Sequence, residues 1–96
     1  MKVFWRKKAS DDLEAIFDFI NEESPQNAIL VFNKIYDLVN SLVVFPEKYP
    51  IEPTYNNPDV RFAVIWNYKV IYTFDKKRVY IIRIFCTFQN PKKLKP

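Results

Sequence analysis

Histidine and glycine are both absent from the 96-residue chain, and cysteine occurs once, as Cys86. Without histidine there is no Ser-His-Asp or Cys-His catalysis, no imidazole base and no imidazole metal ligand. With one cysteine, a zinc site would have to rest on carboxylates alone, so no metal is expected. Without glycine there is no Walker A loop and no glycine-rich dinucleotide turn, so no cofactor is expected. A lone cysteine forms no internal disulfide and suits a reducing compartment. No apolar run reaches the roughly 18 residues that span a bilayer. Met1 to Lys8 carries charge without the apolar stretch of a signal peptide. The expectation is a cytoplasmic protein with no membrane association. Chemistry, if any, falls to Arg, Lys, Tyr, carboxylates or Cys86. A catalytic thiol is disfavoured, because nothing here activates it and a free thiol has a pKa of about 8.5.

What is plentiful is aromatic and basic. Nine Phe, six Tyr and two Trp make up 18% of the chain. Large rings bury much area per residue and suit a small core or a contact face. The net charge is +4, with Lys2, Arg6, Lys7 and Lys8 at one end and Lys92, Lys93 and Lys95 at the other. Such a balance attracts acidic partners, either nucleic acid or an acidic protein segment. The length fits one domain, 1–96.

The hydrophobic spacing predicts a short strand over Lys2 to Arg6, then a helix from Ala9 or Ser10. Asp11, Asp12 and Glu14 would sit in its first turn, at the positive end of the dipole. Ala9, Leu13, Ile16, Phe17 and Ile20 form one apolar face. Ser24-Pro25 restarts the chain as cap and first helical residue. Ala28, Phe32, Ile35, Val39 and Leu42 stripe a second helix, closed by Phe45-Pro46. Glu47 to Asp59 is proline-rich and reads as an irregular surface loop. Three strands follow: Val60 to Trp66, Lys69 to Phe74 and Arg78 to Phe85. Their turns are Asn67-Tyr68 and Asp75-Lys76-Lys77, with Asn67 and Asp75 best able to take positive φ. Tight turns imply antiparallel pairing. The fold class is α+β: an N-terminal strand, a helical hairpin, then a three-stranded antiparallel meander.

These pieces, in this order, resemble the RelE/ParE toxin superfamily, and more closely its ParE branch of plasmid-stabilisation toxins. The resemblance runs over about residues 3 to 94. It rests on Ala9-x-x-Asp12-Leu13-x-x-Ile16-x-x-Phe19-Ile20, Pro25-x-x-Ala28 and Leu42-x-x-Phe45-Pro46. Arg61, Asn67-Tyr68-Lys69-Val70-Ile71-Tyr72, the last strand and Gln89-Asn90-Pro91-Lys92-Lys93 complete it. It implies the toxin half of a type II toxin–antitoxin pair, complexed with a cognate antitoxin. ParE-like members are associated with poisoning DNA gyrase, and RelE-like members with cutting mRNA on the ribosome.

The RelE-like chemistry needs no metal. A 2′-hydroxyl attacks its own phosphate while cations stabilise the developing charge. Under that alternative the candidate residues are Arg61, Lys69 and Arg83. Arg61 suits bidentate phosphate binding, or pairing with a carboxylate near the sheet edge. Lys69 follows the turn, either as a second cation or as a strand-surface lysine. Arg83 interrupts the Val79, Ile81, Phe85 face, where a cation needs a partner; Asp12, Asp18 or Glu14 could supply it. Tyr72 and Tyr80 read as sheet packing with hydroxyls at the rim. The resemblance implies His at position 86 and Arg at 88, where this chain has Cys86 and Phe88. That departure argues against an efficient ribonuclease and leaves a protein-binding poison intact. Arg61, Cys86, Phe88, Lys92 and Lys93 are then candidate target or partner contacts. A third alternative is an inactive homologue kept as an antitoxin-binding module.

Overall fold

In the computed structural model, which describes residues 1–87, β1 (Lys2–Trp5) leads into α1 (Lys7–Asn21) and α2 (Pro25–Ser41). A 3-10 turn (Pro53–Tyr55) precedes β2 (Val60–Ile65), β3 (Tyr68–Phe74) and β4 (Arg78–Cys86). The last three strands form the expected antiparallel meander. β1 lies parallel to β4, with Lys2 opposite Arg78 and Trp5 opposite Ile81, so the sheet order is β1-β4-β3-β2. The parallel pairing is possible because the helical hairpin and loop lie between the two strands as a long crossover.

α1 begins two residues earlier than its sequence suggests. The Arg6 N–H closes the β1–β4 ladder on the Ile81 carbonyl at 3.0 Å, and the Arg6 carbonyl accepts the Ser10 N–H at 3.0 Å. Strand and helix therefore share Arg6, with no room for a side-chain cap. Asp11, Asp12 and Glu14 fall outside the first turn. Lys7 takes that place instead, against the dipole, and is offset by an exposed ion pair to Asp11 at 3.3 Å. α2 starts as expected: the Asn27 N–H donates to Ser24 Oγ at 3.3 Å and Pro25 opens the first turn.

The helices pack on one face of the sheet, here the inner face. Ala9 and Leu13 of α1 and Ile35 and Val39 of α2, with Leu42 beyond it, meet Ala63, Val70, Tyr72, Val79, Ile81 and Ile84 there. A smaller cluster of Val60, Ile71 and Phe85, with Tyr55, Phe62 and Ile82 around it, covers part of the outer face. β4 is bulged. Tyr72 pairs with Ile81 and Ile71 with Arg83, which leaves Ile82 as the extra residue. An extra residue flips the alternation. Phe85 therefore does not share the inner face of Val79 and Ile81; Ile84 takes it.

The β2–β3 turn is Trp66-Asn67, closed by the Ile65–Tyr68 pair, one residue earlier than expected. The positive φ falls on Trp66, at 53°, and not on Asn67. The first central residue of a two-residue hairpin loop carries that conformation in the turns matching strand twist. Asp75 shapes its turn by side chain instead. Its Oδ1 accepts the Lys77 N–H at 2.8 Å and the Arg78 N–H at 2.9 Å.

The proline-rich segment is more ordered than its composition suggests. The Glu52 N–H donates to the Val60 carbonyl at 2.8 Å, and the Phe62 N–H to the Pro50 carbonyl at 3.0 Å. The segment thus lies along the outer edge of β2. No helix among the described residues is long and apolar enough to cross a membrane.

Candidate functional site

The end of β4 is where the sequence concentrates its unusual letters, and there the sheet loses its edge partner. β1 stops opposite Ile81. Beyond it, α1 supplies the missing acceptor through Asp12. One Asp12 oxygen accepts the Ile84 N–H at 2.9 Å and Arg83 Nε at 2.7 Å, and the other accepts Arg83 Nη2 at 3.1 Å. Asp12 was among the three partners expected for Arg83. The bidentate pair holds the Arg83 guanidinium still more firmly protonated than usual. Arg83 also lies over the Phe85 ring, 4.7 Å from its centroid.

Asp12 and Arg83 form one wall of a groove of about 630 Å³ between α1 and the ends of β3 and β4. Ile16, Phe19, Tyr68 and Cys86 contribute to the lining. Phe19 is 76% exposed. Cys86 is half-buried, and its sulfur accepts from Asn67 Nδ2 at 3.4 Å. Burial pushes the neighbouring Tyr68 phenol up, with the Cys86 sulfur adding to it. This is an apolar groove with a satisfied ion pair in its wall. Its shape suits contact more than acid–base work. Phe88, Lys92 and Lys93 lie outside the described residues.

Lys69 sits on the outer face, opposite Phe85. Its ammonium pairs with the carboxylate of Glu52 and lies 4.5 Å from the Phe62 ring centroid. Glu52 is fully buried, and its other oxygen takes both the backbone N–H and the hydroxyl of Thr54. Burial alone would raise the Glu52 carboxyl. Lys69 and Thr54 outweigh it and hold the carboxyl below its ordinary value. Glu52 was not legible in advance, since one acid in a proline-rich segment has no periodicity to place it.

Arg61 pairs with Tyr72, so it shares the inner face with Tyr72 and not the outer face of Lys69. Its partners are carbonyls, not a carboxylate. Nη1 donates to Glu47 O at 3.0 Å and Tyr49 O at 2.9 Å. The Tyr72 hydroxyl is not at a rim. It is buried and donates to Pro46 O at 2.5 Å. Burial pushes its pKa up to about 12. Arg61 and Tyr72 therefore fasten residues 46–49 over the inner face. The structure brings Arg83 and Cys86 to one groove, sets Lys69 and Arg83 both against Phe85 on the outer face, and puts Arg61 on the inner face, apart from them.

A solved structure of the chromosomal ParDE TA system from P. aeruginosa shares this architecture. It is 26% identical, with a TM-score of 0.73, and the match covers 88% of this chain and 92% of that one. The likeness sets the fold in the class of toxin–antitoxin proteins. The family described as "ParE toxin of type II toxin-antitoxin system, parDE" matches residues 3–91, and the chain belongs to that family. It is a ParE-type toxin of a type II toxin–antitoxin module. No curated protein matches the chain.

Proposed function

We propose that this toxin arrests growth by binding a protein target, DNA gyrase, in the cytoplasm, and that a cognate antitoxin neutralises it in a hetero-oligomeric complex. The observation that carries the reading is that each candidate cation is already engaged by the fold. Phosphoryl chemistry on RNA needs cations converging on one phosphate with a proton-transfer group beside them. Arg61 is spent on loop carbonyls on one face of the sheet. Lys69 is paired with Glu52 on the other, and Arg83 with Asp12. The chain has no histidine to move a proton. A binding poison needs none of this; it needs shape and contact residues, which the groove beside Phe19 and Cys86 offers.

The test is a supercoiling assay with purified gyrase and folded toxin, run with and without the antitoxin. Inhibition relieved by the antitoxin is expected. Normal supercoiling at excess toxin would overturn the gyrase target. Primer extension on translated mRNA after induction covers the alternative chemistry: cuts within codons that vanish in Arg61→Ala would establish an endonuclease. Antitoxin binding without growth arrest would mark a retained binding module.

A further inference from the structure

Among the described residues, a cluster of cations outside any ion pair lies away from the groove, on the outer face where β1 meets β4. Lys2 and Phe4 of β1 and Arg6 just beyond it alternate outward, as do Arg78 and Tyr80 along β4. Phe4 stands opposite Tyr80 in the ladder, and Lys2 opposite Arg78. The two rings are 6.0 Å apart between centroids and tilted by 31°. Phe4 is 40% exposed although it is a large apolar side chain on an open sheet face. The Arg78 guanidinium lies 4.9 Å from the Phe4 centroid, and that of Arg6 lies 5.6 Å from the Tyr80 centroid. Among the described residues, none of Lys2, Arg6 and Arg78 forms an ion pair. Asp75 lies at this end and attracts Arg78 without a direct ion pair. One of its oxygens is taken by the turn, and the other receives the Tyr80 hydroxyl at 3.4 Å.

We infer that this face binds single-stranded nucleic acid, with Phe4 and Tyr80 as a stacking platform and Lys2, Arg6 and Arg78 holding the backbone. Adjacent rings that reach solvent, Phe4 exposed and Tyr80 half-buried, interleaved with cations are the chemistry that single strands require. Unpaired bases present π-faces to the rings, and the phosphates between them meet the cations. A base stacks on a guanidinium plane as it does on a ring, so Arg6 and Arg78, lying over the rings, extend the platform while their N–H edges hold phosphate. A duplex hides its base faces and gains nothing from the rings. An acidic peptide matches the charge but not the platform. The inference is independent of the gyrase reading, because it concerns the sheet face away from the groove.

The test is fluorescence anisotropy with a labelled oligouridylate and a labelled oligothymidylate over a range of salt. The competitors are unlabelled duplex and polyglutamate. Binding of either strand is expected, and the two strands tell whether the 2′-hydroxyl contributes. Phe4→Leu and Arg78→Gln should each weaken binding at least fivefold, with unchanged melting. Arg78→Gln should also lower the salt slope by about 0.7, the single-strand value per phosphate contact. Lys34→Gln, on α2, should change neither. Equal weakening by Lys34→Gln would overturn the inference, as would equal competition by duplex or polyglutamate. If Phe4→Leu fails to fold, Arg78→Gln alone decides: an unaltered affinity and slope overturns the platform.

Discussion

At the scale of single residues, Glu52 shows how a charge can anchor a segment that sequence reading leaves shapeless. Its carboxylate joins the proline-rich segment to Lys69 on β3 and to Thr54 two residues on. The folded carboxyl is held below its ordinary value of 4.5. A depressed pKa contributes stability above the unfolded value, and that contribution is lost as pH falls through the folded value. Glu52→Gln removes the partner of Lys69. A fully buried pair broken this way costs about 3–5 kcal/mol. Lys69 keeps a quarter of its side chain exposed, so about 2 kcal/mol is expected at pH 7. The gap between wild type and Glu52→Gln, read from urea unfolding, should narrow well below pH 4.5 because the wild type then loses the same charge. An equal gap at pH 7 and pH 3 would remove the role assigned to the carboxylate. Neither Glu52 nor the carbonyl partners of Arg61 could be read from the chain. Both depend on where an aperiodic segment returns to the sheet.

At the scale of elements, the strands and helices were legible because each carries its own period, and the junctions between them were not. The stripe of Ala28, Ile35, Val39 and Leu42 is buried as its spacing demands. Ser24-Pro25 opens α2 as those residue types dictate. The start of α1 is not legible in the sequence because β1 hands Arg6 directly to the helix, a tertiary event that no local cap records. The β4 bulge is hidden from the sequence for a similar reason, since Ile82 is extra only relative to its neighbour on β3. Asp12 ties both features together. It sits where the helix passes the edge that β1 leaves open, and it satisfies one backbone donor and one guanidinium. Asp12→Ala leaves that N–H and Arg83 without their acceptor, at an expected cost of about 2–3 kcal/mol. Hydrogen exchange should place the loss, with the Ile84 amide released from protection far more than the amides of Val79 and Ile81. Uniform acceleration along β4 would show that Asp12 contributes only to overall stability.

At the scale of the whole molecule, the protein separates what it buries from what it presents. The inner face of the sheet is consumed by the hairpin core, and residues 46–49 are fastened over it by Arg61 and Tyr72. The outer face is shared between a small apolar cluster and the cation-bordered rings of β1 and β4. The groove beside α1 belongs to neither, and Phe19 stands at it with 76% of its surface in solvent. So exposed a ring contributes little to the fold, while an exposed aromatic beside an apolar groove suits a contact anchor. Under the proposed pairing with an antitoxin, Phe19→Asp separates the two roles. The melting temperature should stay within a few degrees of wild type, because surface substitutions usually stay within about ±0.5 kcal/mol. Antitoxin affinity, measured by calorimetry, should fall by tenfold or more, roughly 1.4 kcal/mol. The added carboxylate would also repel an acidic partner segment at the groove, in addition to losing the ring. Phe19→Leu should recover most of the affinity, since it restores apolar contact without the charge. Unchanged affinity in Phe19→Asp would move the antitoxin to a different surface, with the aromatic groove lined by Trp5, Leu13, Phe17, Phe32 and Tyr36 as the next face to test.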